Sequence, residues 1–483
     1  MTFACMNRSN FFSGPSSLQD FLDPSKHAPV PLVEIPEELH GVHMPGLRVF
    51  AKMMQMLPLG NVKSVPAFHM LKEAKERGRC SPNTQLVESS SGNTVFSLAL
   101  LAKAFGLGDV HAFASKEVSK GKLDMLRLAG IHVTLHEEPI CPNPDDPKSG
   151  IVKARRKGGE PGWLNMDQYQ NAANPRGHKD VTAAQILAQL DHQIDLFAAG
   201  LGTTGTMVGT ATALREARPE LRTIGVVRAP NNPVPGVRTQ ALLSPTGFSY
   251  DKTVDYLEAV GTVDAFATSL KMIRSGMLVG PSSGFALAGL RASLLRHRRQ
   301  WEDHIRQYGR LHAVFICCDL PYPYIDEYMQ YLPEVYFPPV QHDMENVTFR
   351  SRVKFSPDFE ISASEAFRRL YGVTPKEGQQ LEAKGVSFSL QDNVEIWDFS
   401  DAKRFAEVHV PYALWKTMDD LEIEVASGHP SRTIFVFCPY GGVSLEVVSQ
   451  LRAKGINAFS ISGGMLSWSK ADMPRIKSEF CMR

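Results

Sequence analysis

Chemistry is concentrated in a few short stretches of this 483-residue chain. The first is Leu57-Pro58-Leu59-Gly60-Asn61-Val62-Lys63-Ser64-Val65, one lysine on a Pro/Gly-bearing loop that runs into a helical pattern over 67–77. An amine beside the positive end of a helix dipole holds its proton less tightly, so it is available to condense with an aldehyde. Ser90-Ser91-Gly92-Asn93-Thr94 lies between a strand pattern at 86–88 and an apolar helix pattern over 95–105. Hydroxyls and backbone N–H groups meet at such a helix start, which suits a carboxylate, although the same residues also serve as a plain N-cap. Gly200-Leu201-Gly202-Thr203-Thr204-Gly205-Thr206 separates a buried-strand pattern at 194–198 from a helix pattern at 207–217. Small residues there let the backbone close around a phosphate, and the helix end supplies positive potential without a lysine. The turn also fits GxGxxG, but it falls deep in its domain, and the next strand ends in Arg228 where a dinucleotide site wants an acidic residue.

The elements that must position these residues alternate. Strand patterns at 29–33, 47–51, 110–113, 132–135, 222–227 and 312–319 are interleaved with helical patterns at 120–129, 181–190 and 285–296. That rhythm predicts an α/β fold of open sheets covered by helices. Residues 1–28 read as a polar extension with one short helix at Ser17–Leu22, and 139–162 as a surface insertion. Prolines and polar residues over 337–357 read as a linker. The remainder, 358–483, shows a second small α/β pattern with strands at 394–397, 433–437 and 458–461 and a helix at 445–454. In it, Cys438-Pro439-Tyr440-Gly441-Gly442-Val443-Ser444 puts a thiol between strand and helix, where amides and the dipole favour a thiolate.

Composition narrows the partners. The chain holds 52 Lys+Arg against 51 Asp+Glu, a formal net charge of +1, which gives no electrostatic case for nucleic acid or an anionic membrane. Seven cysteines without CxxC spacing argue against a disulfide framework or a metal site. There is neither a leader pattern nor an apolar run long enough to span a bilayer, so a cytoplasmic protein acting on small molecules is expected.

Taken in order, the Lys63 loop, Ser90–Thr94, Gly200–Thr206 and Gly280-Pro281-Ser282-Ser283-Gly284 resemble the fold-type II pyridoxal-phosphate family, the tryptophan synthase β-like fold, in its cysteine synthase and cystathionine β-synthase branch. The resemblance covers 29–336 and implies two-subdomain open sheets and a homodimer. It implies that Lys63 binds pyridoxal 5′-phosphate covalently and later moves the α-proton. Asn93 would bond the cofactor's 3′-oxygen, and Gly202, Thr203, Thr204, Gly205 and Thr206 its phosphate. Ser90, Ser91 and Thr94 would grip the substrate carboxylate, joined by Gln168 from a stretch, 168–175, that resembles the family's Gln-Phe-x-Asn-Pro-x-Asn. Asp319 stands where the family has a serine at the pyridine nitrogen, and a carboxylate there would favour a protonated ring. The implied activity is β-replacement on an activated serine, such as O-acetylserine or O-phosphoserine, through an α-aminoacrylate. Two alternatives stay open: a β-eliminating lyase that releases sulfide, and a regulatory pseudoenzyme. Val95 and Thr204 replace family glycines, and 230–238 replaces a glycine-led stretch near the pocket.

The C-terminal region resembles the rhodanese fold through Ile396-Trp397-Asp398, His409-Val410-Pro411 with Ala413, the Cys438 loop, and Gly463-Gly464 with Trp468. The resemblance implies sulfur handling at Cys438. Val443 stands where an arginine is common, which weakens the anion-binding side of that implication.

Overall fold

The computed structural model describes residues 10–137, 146–243, 246–339, 356–383, 389–427 and 432–477. The chain divides into two compact units, Met1–Pro338 and Pro339–Arg483.

Among its described residues the first unit holds ten strands: β1 (Leu32–Ile35), β2 (Leu47–Met53), β3 (Gln85–Ser89), β4 (Val110–Ser115), β5 (His132–His136), β6 (Trp163–Asn165), β7 (Leu196–Gly200), β8 (Arg222–Arg228), β9 (Tyr256–Val260) and β10 (Leu311–Cys317). They form a six-stranded sheet in the order β1-β2-β10-β7-β8-β9 and a four-stranded sheet in the order β5-β4-β3-β6. Every pairing is parallel except that of β1, an antiparallel edge strand.

Sequence pattern explains the layering. All seven residues of β10 are buried, which a strand covered on both faces requires. Alternate side chains serve two cores: Ala313, Phe315 and Cys317 join Phe285 and Leu287 on one face, while Val314 and Ile316 join Phe197 and Met207 on the other. The helix Pro281–Arg296 starts on a proline, which fits its first turn, and is apolar round most of its circumference because it runs through the core.

Boundaries shift by up to three residues from the sequence reading, as at β1, which starts at Leu32, and at the helix Asn93–Ala104. Two differences are larger. Residues 139–145 lie outside the described residues, but the rest of the expected surface insertion is built into the fold. A helix, Gly150–Gly158, buries Ile151 and Ala154 against β3 and β4, its apolar positions hidden in sequence by the interleaved Lys153, Arg155, Arg156 and Lys157. The expected helix at 181–190 begins earlier and is wound as a π-helix over His178–Ala183 before turning α over Ala184–Gln189. Such widened turns gather where a side chain has a special task.

The second unit has a five-stranded parallel sheet built from β11 (Glu360–Ile361), β12 (Val394–Asp398), β14 (Ala413–Trp415), β15 (Thr433–Phe437) and β16 (Asn457–Ile461), in the order β11-β16-β15-β12-β14. A two-stranded ribbon pairs β13 (Val408–His409) with β17 (Ile476–Lys477). Among the described residues no helix is long and apolar enough to cross a membrane, and no group of His, Cys, Asp and Glu is placed to hold a metal ion.

Candidate active site

In both sheets of the first unit the carboxyl ends of the parallel strands open onto one cavity of about 510 Å³. Ligands in open parallel sheets bind at such ends, where loops rather than pleats face the space. Ser89 from β3, Phe113 and Ser115 from β4, Gly200 from β7, Arg228 from β8 and Ile316 from β10 all reach its wall.

Lys63 lies on that wall, immediately before the helix Ser64–Glu76. Its loop is fastened to the end of β10. Val62 donates to the Cys318 carbonyl at 2.7 Å, and Asn61 bridges to Asp319. The Asn61 side chain, 2 % exposed, accepts from the Lys63 N–H at 2.9 Å and from Ser97 Oγ at 3.1 Å, so it aims the lysine from below. Among the described residues the Lys63 amine has no hydrogen-bond or ion-pair partner. Burial is the first cause that pushes its proton affinity down, with Arg238 adding and Asp319 opposing. The sequence reading credited the helix dipole, but desolvation leads.

The serine-rich turn forms as expected, with Ser90, Ser91, Asn93 and Thr94 on the cavity wall. Thr94 Oγ1 donates to Gln168 Oε1 at 2.7 Å, and Gln168 Nε2 to the Ser89 carbonyl at 3.0 Å. Residues far apart in sequence are thereby joined in one polar patch. Beneath them sits Glu88, 1 % exposed, whose two oxygens accept from the N–H groups of Ser89 at 2.8 Å and Gln168 at 3.2 Å. Burial first, then the nearby Asp167 charge, pushes this carboxyl up to about 8.

The native state therefore keeps a proton that the unfolded chain releases above the ordinary 4.5 of glutamate. The stability this brings is complete below that value and is lost as pH rises through about 8, with a slope of at most ~1.4 kcal/mol per pH unit. Thermal unfolding of Glu88→Gln, which cannot titrate, should fall less with rising pH across this window than that of the parent. Parallel melting-temperature curves for the two proteins would mean that Glu88 is ionised in the fold.

Gly202, Thr203, Thr204 and Thr206 line the same cavity, and Gly205 starts the helix Gly205–Ala217. A Cβ at Gly202 would come 2.3 Å from the Gly236 carbonyl oxygen, and one at Gly205 2.1 Å from Asn174 Oδ1, so backbone approach dictates both glycines. Thr204 takes the left-handed conformation, φ 68°, unusual for a β-branched residue, and its hydroxyl is buried without a partner, as is Asn174 Oδ1. Thr206 Oγ1 sits 3.1 Å from Nε2 of His178, the first residue of the π-helix. A strained turn at a helix start with an orphaned Thr204 hydroxyl, its Gly205 N–H donating to Thr203 Oγ1 at 3.4 Å, fits a phosphate.

Asp319, just past β10, is 4 % exposed. Its Oδ2 accepts from Asn93 Nδ2 at 2.6 Å and from the Tyr324 hydroxyl at 2.5 Å, and its Oδ1 from Ser282 Oγ at 3.5 Å. Burial raises its proton affinity, opposed by Tyr324 and Asn93. Three donors and no acceptor make a carboxylate's surroundings. Asn93, expected at the cofactor's 3′-oxygen, thus gives an amide hydrogen to Asp319. The Ser282 turn needs Gly280, where a Cβ would approach Asp319 Oδ1 to 2.2 Å.

The sequence reading gave no role to Arg228, Arg238, Tyr169, Tyr324 or His178. Arg228 stood out there as a strand-end cation, Tyr169 lay inside the 168–175 stretch, and Arg238 lay inside the divergent 230–238.

Cys438 belongs to the second unit, at the end of β15. The residue is 1 % exposed; its sulfur accepts N–H groups from Gly441 at 3.1 Å and Ser444 at 3.3 Å, and its thiol donates to the Ser444 hydroxyl at 3.3 Å. Gly464 abuts this loop, where a Cβ would lie 2.1 Å from the Cys438 carbonyl oxygen. Asp398 is fully buried and caps the Ser400 N–H at 2.8 Å.

Comparison with known proteins gives a match of residues 25–305 to the family described as pyridoxal-phosphate dependent enzyme. Cysteine synthase B of Campylobacter jejuni is 30% identical over 252 residues, covering 50% of this chain and 81% of that protein. Cystathionine beta-synthase of Mus musculus is 32% identical over 243 residues, 47% of this chain and 43% of that one, so the chain spans less than half of that relative. Among solved structures, the O-acetylserine dependent cystathionine beta-synthase from Helicobacter pylori superposes with a TM-score of 0.54 at 23% identity, covering 64% of this chain and 96% of that one, a likeness of fold.

Proposed function

Since this chain belongs to the pyridoxal-phosphate-dependent enzyme family, we infer that it catalyses β-replacement on a serine derivative. The observation that carries the reading is the partnerless Lys63 amine on the wall of a cavity that also takes in the Gly/Thr turn and the Ser/Asn turn. Pyridoxal phosphate bound here would supply an electron sink for the α-carbon of an amino acid. Lys63 would hold the cofactor through its amine and would serve as the base for the α-proton. Low proton affinity from burial keeps its amine ready as a base. Thr203, Thr204 and Thr206, with the amides of Gly202 and Gly205, hold the phosphate. Asn93 and Asp319 would hold the ring edge, Asp319 as the carboxylate that would favour a protonated ring. Ser90, Ser91, Thr94 and Gln168 orient the substrate carboxylate.

The second unit supports a rhodanese-like reading in which Cys438 handles the sulfur that the first unit consumes. The N–H groups of Gly441 and Ser444 donate to its sulfur. One assay addresses both units. O-acetylserine with sulfide should yield cysteine rather than pyruvate. With thiosulfate and a reducing thiol in place of sulfide, cysteine formation should vanish in Cys438→Ser. Pyruvate as the sole product would replace this reading with β-elimination, and thiosulfate use that survives the substitution would remove the role of Cys438. Two copies are proposed for the assembly, supported by Ile325 and Met329, exposed one turn apart on a short helix. A solution mass near that of one 53.4 kDa chain would refute it.

A further inference from the structure

Asp319 has a support that a serine in its place would not need. Tyr324, 5 % exposed, lines the cavity and donates its hydroxyl to Asp319 Oδ2 at 2.5 Å, the shortest of the three bonds this carboxylate accepts. Tyr324 is itself held. The Lys122 amine stands over its ring, 5.0 Å from the centroid, and pairs with Glu327 Oε1 at 2.8 Å, the two side chains only 14 % and 7 % exposed. Lys122 comes from the helix Lys120–Leu128, which follows β4, and Glu327 from the helix Ile325–Tyr331, which follows β10. The two segments approach closely enough that a Cβ at Gly121 would lie 2.7 Å from the Pro323 carbonyl oxygen. A desolvated ion pair is a weak device for stability alone, whereas this one also lines the cavity and braces the ring that touches Asp319.

Charge follows the same line. Burial raises the proton affinity of Asp319; the Tyr324 hydroxyl is the largest influence against it, Asn93 follows, and the Lys122 charge adds from a distance. Asn93 has the cofactor's 3′-oxygen as its expected partner, which leaves Tyr324 as the donor committed to the carboxylate. Burial and the neighbouring Asp319 charge keep the phenol of Tyr324 protonated, so it remains a donor. Among the described residues Oδ1 accepts only from Ser282 Oγ, at 3.5 Å, and retains accepting capacity.

Resting on the reading of this cavity as a pyridoxal-phosphate site, we propose that Tyr324, braced by Lys122 and Glu327, is a positioning residue that holds the Asp319 carboxylate for the cofactor's ring nitrogen and keeps the proton they share on the ring. Without the hydroxyl, the buried carboxylate competes better for that proton.

The test uses the full chain loaded with pyridoxal phosphate isotopically labelled at the ring nitrogen, without substrate. The magnetic resonance shift of that nitrogen reports where the proton sits. In the parent it should lie in the protonated range. In Tyr324→Phe, which keeps the ring beneath Lys122 and loses only the hydroxyl, it should move toward the unprotonated range; Lys122→Gln, with the hydroxyl retained, should move it the same way by less. In turnover of O-acetylserine with sulfide, Tyr324→Phe should lower kcat about tenfold with KM little changed. In an Asp319→Asn background the same substitution should alter neither readout, because it acts through the carboxylate. A resonance unmoved in Tyr324→Phe removes the hold, one unmoved in Lys122→Gln removes the brace, and equal losses of kcat with and without Asp319 reduce Tyr324 to packing. The resonance needs no turnover. If no donor reacts yet the signal moves as stated, the β-replacement reading fails and the hold on Asp319 stands; an unprotonated ring in the parent overturns the hold whatever the activity.

Discussion

Lys63→Ala is expected to give a folded protein that takes up pyridoxal phosphate weakly, shows none of the visible absorbance of lysine-bound cofactor, and turns over at least ~1,000-fold more slowly. The stretch around position 63 is held by backbone and by Asn61, through the Val62 to Cys318 bond and the Asn61 cap on the Lys63 N–H, so truncating the side chain leaves the loop in place. No hydrogen bond of the lysine amine is lost, and a group destabilised by burial is removed, so stability should change by less than about 1 kcal/mol. A large loss of rate with an unchanged melting temperature is therefore the expected combination. A variant that absorbs like the parent would place the covalent anchor elsewhere.

Asp319→Asn carries the second large effect. Asparagine retains a carbonyl oxygen able to accept from Asn93 and Tyr324, and its amide would meet Ser282, whose hydroxyl can turn to accept. The fold should tolerate the change within about 2 kcal/mol, because a buried carboxylate is removed along with part of its hydrogen bonding. Activity should not tolerate it. An amide cannot keep a proton on a ring nitrogen, and the weaker electron sink should lower kcat ~100-fold while KM for the amino acid changes little. A KM effect with kcat preserved would instead make Asp319 a scaffold for Asn93 and the substrate turn.

Sequence disclosed the local half of this site. Lys63 before a helix, the Ser/Asn turn and the Gly/Thr turn each stand on a single loop between one strand and one helix, and such loops follow from short-range rules of capping and glycine geometry. What stayed hidden depends on which distant side chains meet. The Thr94 to Gln168 bond, the four-membered set around Asp319, and Asn61 beneath Lys63 all join different elements. Arg238 read as part of a Pro- and Asn-rich loop, and nothing in its neighbours foretold a buried guanidinium. The helix Gly150–Gly158 was taken for surface because charges are interleaved along it, while one apolar turn underneath does the packing. Glu88 looked like any strand glutamate until burial made it an acid.

The central claim is that the amine of Lys63 is the covalent anchor of pyridoxal phosphate. Reducing the cofactor-loaded protein with borohydride, digesting it and sequencing the peptides by mass spectrometry tests that claim most directly. The account predicts the pyridoxyl adduct on the Lys63 peptide alone; an adduct on another lysine, or none on protein that retains the cofactor, would contradict it.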